Sequence, residues 1–478
     1  MPPSFPAAAV RFMPLPTLFI LVALALSTAR AEPAADPWAL RDEILRRIVP
    51  PTFPDRDFMV TAYGAVADAR TDCREAFAKA IAACTQAGGG RVVVPAGGVY
   101  FCDGPIHLAS NVNFHVAAGA TVQFGLLPER YLPVVLTRFE GTLLMGHSPR
   151  IYVRGAKNVA LTGQGTIDGN GRDTLTIMRN SPARGGSGTL RQMGADGVPV
   201  EQRVFGEGKW MRPSMIQFLE CTDVLIEGVR VIDSPFWVIH PVLCRNVTVR
   251  GVTVDSHNGN NDGCDPDSCS DVLIENCVFR TGDDAIAIKS GRDRDGWTVG
   301  RPSENIVIRN VTMGSRHSGL CIGSEMSGGV RNVFVEDCQL ESVASAFYFK
   351  GNLDRGGQVE RIYARRLHAK KVREGLVRFE TGYHGYRGGN APPRFRDFHL
   401  TDLSCDEAVA YGIYSEGVAA APIENVRLER VRIHKAKAPF WLKFTEGLRL
   451  QDVEVNGVRL PEQPPLTPEG EVKLKISS

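Results

Sequence analysis

From Asp223 onward the chain repeats one pattern of apolar and polar positions. The registers DVLIEGVRV from Asp223, NVTVRGVTV from Asn246, DVLIENCVF from Asp271, NIVIRNVTM from Asn305 and NVFVEDCQL from Asn332 superpose without a gap, and weaker copies begin at Arg361, Asp397, Asn425 and Gly447. With the first residue of each copy counted as zero, positions one and three are apolar throughout, and position six forms a column of Val229, Val252, Cys277, Val311, Cys338, Leu367, Leu403, Val431 and Val453. Position five holds Gly, Asn, Asp or Arg, as expected where a strand turns outward. Such alternation predicts short strands with one face buried. The copies start 22 to 36 residues apart, with loops of variable length at one corner accounting for the spread. Strands at this period without intervening helices predict an all-β fold, a single-stranded right-handed parallel β-helix. Leucine-rich repeats would show a Leu-x-x-Leu-x-Leu signature with repeated helices, and a propeller needs a period above about 40.

Ahead of the repeats the pattern changes. Arg11, an apolar core from Leu18 to Leu26 and the small-x-small site Ala29-Arg30-Ala31 predict a signal peptide over 1–31. That apolar run is well short of the roughly 20 residues a spanning helix needs, so the mature protein is expected to lack a membrane span and to be exported, to a periplasm or the cell exterior. Residues 32–56 read as an N-terminal extension with a short helix over Trp38 to Ile48. Asp72 can cap a helix from Cys73 to Cys84 that buries Phe77 and Ile81, and Gly88-Gly89-Gly90 ends it before a strand over Arg91 to Val94. This is the expected N-terminal capping helix, a lid over the open end of the stack that covers its edge hydrogen-bonding groups. The β-helix is expected to span 57–460 as a catalytic domain, with 461–478 as a C-terminal tail.

Composition adds little to that picture but removes some alternatives. A net charge of +2 over 478 residues argues against a nucleic-acid binder. Eleven cysteines leave at least one free, and Cys264 with Cys269 is the one close pair considered for a bridge. Cys277 and Cys338 lie two rungs apart, about 10 Å by strand spacing, which is too far. Most of the cysteines read as small buried hydrophobes. No spacing suggests zinc, a phosphate loop or a nucleophile elbow. Two segments interrupt the repeat: a Gly- and Arg-rich stretch from Gly169 to Arg212, expected as a loop bordering a cleft, and Gly382-Tyr383-His384-Gly385-Tyr386-Arg387, whose aromatic and basic residues suit stacking on a sugar.

The densest acidic chemistry lies between Asn258 and Gly291, NGNNDGCDPDSCSDVLIENCVFRTGDDAIAIKSG. Asp262 precedes one strand-like run, and Asp283 with Asp284 follows it. Asp283 falls twelve positions after Asp271 and His317 twelve after Asn305, which gives them the same phase on adjacent coils. Asp262 and Lys350 fall on the coils to either side. The bland reading makes each acid beside a glycine a turn former, but it must then explain three acids, a histidine and a lysine sharing one face. Crowded carboxyls cannot all ionise, so one stays protonated while the others remain charged. Glycoside hydrolysis needs that division between an acid and a base. A calcium loop starting at Asn258 is set aside because its twelfth position is Cys269, where a bidentate Glu is required. No metal or cofactor is expected.

These residues carry a resemblance. GQGTIDGNG from Gly163, RPSMIQFLECTDVLIEG from Arg212, SPFWVIHPVLCRNVTV from Ser234, NNDGCDPDSC from Asn260, TGDDAIAIKSG from Thr281, RHSGLCIGSEMSGGVRNV from Arg316 and YFKGNLDRGG from Tyr348 resemble glycoside hydrolase family 28, the polygalacturonases and related pectin-degrading enzymes. The resemblance implies a right-handed parallel β-helix and an inverting, metal-free hydrolase. It implies Asp283 as general acid, Asp262 and Asp284 as holders of the attacking water, His317 set against the acid and Lys350 on a galacturonate carboxylate. Asn260 and Tyr383 are expected to touch substrate. Two motifs depart from the family: Arg316-His317-Ser318-Gly319 stands for Gly-His-Gly, and Tyr348-Phe349-Lys350 for Arg-Ile-Lys. Tyr348 offers one hydrogen bond and a stacking face in place of an Arg fork, with Arg355 as the compensating guanidinium. The expected activity is a secreted exo-polygalacturonase, monomeric, with pectic polysaccharide or oligogalacturonide as its partner. The alternatives are a hydrolase of rhamnogalacturonan or other branched pectin, a calcium-dependent pectate lyase and a non-catalytic carbohydrate-binding β-helix.

Overall fold

The repeat folds as strands laid one above another, all parallel. Val224, Val247, Val272, Ile306, Val333, Ile362, Phe398 and Val426 are successive partners up the stack. The computed structural model describes residues 36–172, 185–464 and 472–473, so the expected signal segment lies outside the described residues. One sheet of 26 strands carries most of the chain, and a second of four strands stacks Ile106–His107, Ile151–Arg154, Ile216–Leu219 and Ile239–Val242. In the last full coils the strands run through the corners, as Val330–Lys350, Gln358–Glu380, Arg394–Glu416 and Ile423–Lys443. This is a parallel β-helix, and every member of the position-six column from Val229 to Val453 is buried in its core.

The polar positions of the repeat make the corners. Asp223, Asn246, Asp271, Asn305, Asn332, Asp397 and Asn425, each the first residue of a copy, all have φ between 54° and 61°. The position-five residues Asn276, Asn310, Asp337, Asp402 and Asp452 have φ between 53° and 57°. Asn and Asp tolerate this left-handed region better than other side chains. Their side chains then join coil to coil: Asn246 Nδ2 donates to Asp223 Oδ1 at 2.7 Å, and Asn332 Nδ2 to Asn305 Oδ1 at 3.0 Å. Arg361 continues the ladder, with Nε 2.8 Å from Asn332 Oδ1.

Two helices close the N-terminal part. α1 (Pro37–Arg47) lies against the outside of the coils, packing Ile44 and Trp38 on Leu273, Val307, Phe334 and Tyr363. α2 (Arg74–Gln86) buries Phe77, Ala80, Ile81 and Cys84, with Asp72 Oδ1 accepting from the Arg74 amide at 3.0 Å. Phe77 meets Phe114 edge to face with centroids 5.8 Å apart, which seats α2 on the first strands as the expected lid.

Two expectations need correction. The segment bordering the cleft is not merely a loop: after residue 184 it forms α3 (Ser187–Asp196) and a strand, Val204–Phe205, paired with Met145–Gly146. Leu190, Phe205 and Met211 pack on Leu144, so this insertion brings its own small core. The Cys264–Cys269 bridge does not form, and all eleven cysteines are buried and free. Cys269 instead belongs to a vertical sulfur ladder, its Sγ accepting from the Cys244 amide at 3.4 Å as Cys244 Sγ does from the Cys221 amide at 3.4 Å.

Candidate active site

The second sheet continues upward as a series of short pairings, and these place the acids. Cys264 bridges Ile239 on one side and Ile286 on the other, and Ile286 pairs with Leu320. Counting back two residues along each strand brings Asp262, Asp284 and Ser318 to one level. Backbone hydrogen bonds link these coils, from the Val238 amide to Asp262 O (2.9 Å), Gly263 to Asp284 O (3.0 Å) and Ala285 to Ser318 O (2.8 Å). One residue earlier, Asp283 and His317 share a phase, as their spacing predicted. The His317 Nδ1 lies 4.0 Å from Asp283 Oδ1.

The three acids meet different surroundings. Asp283 is the most accessible: Oδ2 accepts from the Asn260 amide (3.2 Å) and Oδ1 from the Asp284 amide (2.9 Å). Asp284 is 1% exposed, with Oδ1 accepting from the Ser318 amide (2.9 Å) and Oδ2 from Lys350 Nζ (3.0 Å). Burial pushes its pKa up, but Lys350 and Lys289 prevail and hold it at about 2. Asp262 is 3% exposed, and Lys289 Nζ stands 3.7 Å from its Oδ2. Burial, then the charge of Asp283, push its carboxyl well above the usual range against the pull of Lys289. The Asp284 carboxyl is therefore ionised near neutrality, while burial and Asp283 oppose a charge on Asp262 and Lys289 favours it.

Around these acids lies a cleft of about 290 Å³ whose walls include Trp237, Asn260, Lys289, Arg292, His317, Glu325, Lys350, Tyr383 and His384. Glu140 and Arg191, the latter on α3, close one side and pair with each other. Lys289 is the hub of the floor. Its ammonium bonds Gly323 O at 2.9 Å and Glu325 Oε2 at 3.2 Å, and lies 4.8 Å from the Trp237 ring centroid. Glu325 is held well below the ordinary carboxylate range although burial opposes this, because Lys289, Arg292 and Arg355 surround it. A larger surface groove, about 1140 Å³, runs past Asp57, Arg91, His115 and Arg250, where Asp57 is paired with Arg91 and Glu227 with Arg250.

Of the residues expected to bind substrate, Lys350 and Tyr383 line the cleft, with Lys350 Nζ 5.2 Å from the Tyr383 ring centroid. Asn260 also lines it, but its Oδ1 is turned to Arg212, 2.7 Å away. Tyr348 stands behind the wall. It is 7% exposed, its hydroxyl is bonded to Glu380, and Arg378 covers its ring at 4.4 Å. Arg355 is no compensating guanidinium. It is 1% exposed and spends its donors on Asp293 Oδ1 (2.5 Å) and Ser324 O (2.7 Å), bracing α4 (Asp293–Val299) against the stack. Lys289, Arg292, Glu325, Trp237 and Arg191 are the residues that pattern reasoning missed. Lys289 lies within the run TGDDAIAIKSG, directly after the short strand Ile286–Ile288 that follows Asp284, and that place was the available signal.

One atom each of Asp283, Asp284 and His317 fall within 4.8 Å of one another, the one grouping among the described residues that a cation could join. Lys350 already supplies positive charge to that corner through Asp284.

The family model for glycosyl hydrolases family 28 matches residues 84–445. A probable polygalacturonase of Vitis vinifera is 32% identical over 272 residues, which cover 54% of this chain and 55% of the relative. An exo-poly-alpha-D-galacturonosidase of Dickeya chrysanthemi is 24% identical over 377 residues, 73% of this chain and 62% of that protein. The chain thus spans less than two thirds of the length of these curated relatives. Among solved structures, a hyperthermoactive exopolygalacturonase from Thermotoga maritima is 40% identical with a TM-score of 0.86, and the match covers 92% of this chain and all of that one.

Proposed function

The chain belongs to glycosyl hydrolase family 28, and from that membership we propose that it hydrolyses α-linked galacturonic acid in pectin, releasing units from a chain end with inversion at the anomeric carbon. The observation that carries this reading is the set of three carboxyls on two adjacent coils beside His317, in a cleft walled by Arg191, Arg292, Lys289 and Lys350. An anionic sugar chain finds cations on each side of the acids, while the acids themselves differ in charge state.

Asp283, at the mouth of the cleft and against His317, protonates the leaving oxygen. Asp284, ionised, and Asp262 on the coil below hold the water that attacks from the opposite face, as an inverting mechanism requires. Lys350 orients Asp284 and offers its remaining N–H bonds to a substrate carboxylate. The chain-end preference is supported by the insertion, whose Arg191 closes one side of the cleft by pairing with Glu140, and by the likeness to the Thermotoga exopolygalacturonase. The protein is proposed to act outside the cytoplasm, where its polymeric substrate is found.

The test is incubation with polygalacturonate and, separately, rhamnogalacturonan in the presence of a calcium chelator, with chromatography and proton NMR of the products. Galacturonic acid monomer from polygalacturonate, of inverted anomeric configuration and without ultraviolet absorbance, is the expected result. An ultraviolet-absorbing product would mark elimination and overturn the hydrolase reading. Cleavage of rhamnogalacturonan alone would move the substrate to the branched regions of pectin.

A further inference from the structure

Asp265 has no part in the chemistry so far, yet it is fully buried three residues beyond Asp262. Its amide donates to Ile239 O at 2.7 Å, which locks the backbone, but neither carboxyl oxygen meets a hydrogen-bond donor. Asp262 Oδ1 is also without a donor, whereas Asp262 Oδ2 faces Lys289. The two carboxyls lie within hydrogen-bonding reach of each other. An ionised carboxylate only accepts, so a hydrogen bond between the two carboxyls requires that at least one of them carry a proton. That proton joins Asp262 Oδ1 to one of the two Asp265 oxygens, where buried polar groups otherwise carry a desolvation cost.

We propose that Asp265 is a positioning residue that keeps a proton and donates it, O–H to Asp262 Oδ1, fixing Asp262 as an oriented and ionised base. The location of the proton follows from the surroundings. Asp262 has an ammonium on its second oxygen and reaches the cleft, while Asp265 has no donor for a negative charge. The charged groups that bear on Asp265 are Asp262, Lys289 and Asp284, and on Asp262 they are Asp283, Lys289, Asp284 and Lys350. Both carboxyls are pushed well above the ordinary range, burial being the largest cause for each. Such a pair titrates as a unit, and one proton held between the two carboxyls halves the negative charge that burial opposes. The proposal rests on the reading of Asp262 as a base, and it adds the device that holds the base in place.

The test uses the full chain with Asp265→Asn, whose amide can still donate to Asp262, and Asp265→Leu, which cannot. Infrared difference spectra of wild type against Asp265→Asn at pH 7 are expected to show the loss of an un-ionised carboxyl band. Asp265→Asn is expected to keep kcat within about tenfold, while Asp265→Leu loses about a hundredfold in kcat with little change in KM. A donated hydrogen bond stabilises the charged form of Asp262, so its removal in Asp265→Leu moves the acid limb of the pH profile to higher pH. Absence of the band in wild type overturns the proposal. So does a shift of the acid limb to lower pH in both variants, which would mean that Asp265 was charged and repelling Asp262. If wild type hydrolyses no galacturonide, the reading of the site fails, and the infrared band alone decides where the proton lies.

Discussion

Lys350 Nζ stands 3.0 Å from Asp284 Oδ2, and both groups are almost out of water. Asp284 is held at about 2 in the folded chain, burial opposing and Lys350 prevailing, against an ordinary value of 3.8. A carboxyl depressed on folding stabilises the protein above its unfolded pKa, and that contribution is lost as pH falls through the folded one. The acid window for this group therefore runs from about pH 4 down to about pH 2. Lys350→Met leaves the carboxylate buried without its partner, which costs about 3–5 kcal/mol at pH 7. It also moves the acid loss of stability to higher pH. Urea unfolding at a series of pH values measures both effects.

Asp283→Asn removes the proton donor with an isosteric side chain, and its one amide oxygen can keep only one of the two backbone contacts, that of Asn260 or that of Asp284. Turnover is expected to fall by about 10²–10⁴ or more, with the fold retained. Near-normal reducing-end release from polygalacturonate would remove Asp283 from the role of acid.

Tyr348→Arg matches the family motif in sequence but not in space. The ring lies behind the cleft wall, with Arg378 4.4 Å and Lys350 4.9 Å from its centroid, so the substitution buries a third cation among two. No gain on unbranched polygalacturonate is expected, and stability drops by about 3 kcal/mol or more. A rise in kcat/KM on that substrate would show that the new guanidinium reaches the sugar.

Arg191→Ala tests the closed end. Arg191 comes from α3 and pairs with Glu140 at the rim, so its loss opens that side without touching the acids. Chromatography is expected to show dimers and longer products beside monomer. An unchanged monomer-only pattern would place the chain-end preference elsewhere.

Arg355→Ala separates bracing from binding. Its guanidinium is spent on Asp293 and Ser324, so the variant is expected to lose about 3–5 kcal/mol of stability with KM unchanged where it stays folded. A large rise in KM alone would return Arg355 to the substrate.

The coils and the common phase of Asp283 and His317 were legible in the sequence because a strand repeats its side-chain direction every second residue, and a stacked coil repeats it again. The position-five residues were legible as outward turns, but the polar first residues of each copy were not legible as a hydrogen-bonded ladder, since the pairing of Asn332 with Asn305 depends on register between coils. Lys289, Arg292 and Glu325 were not legible as a network. Charges at coil corners have no period, and their partners come from segments that fold over the site from far along the chain, as Glu140 does for Arg292. Arg355 was misread for the same reason: its short path to the cleft in sequence hides the turn that carries it to Asp293.

Asp262 and Asp284 are separated by one coil, not by a hinge or a mobile loop. Their spacing is thus set by the rise between strands, roughly 4.8 Å, a dimension that backbone hydrogen bonds enforce at every rung. Such a ruler does not stretch with temperature in the way a loop-borne site loosens. Heating should leave the acids correctly spaced until the stack itself comes apart, and catalytic competence and cooperative unfolding should end at one temperature.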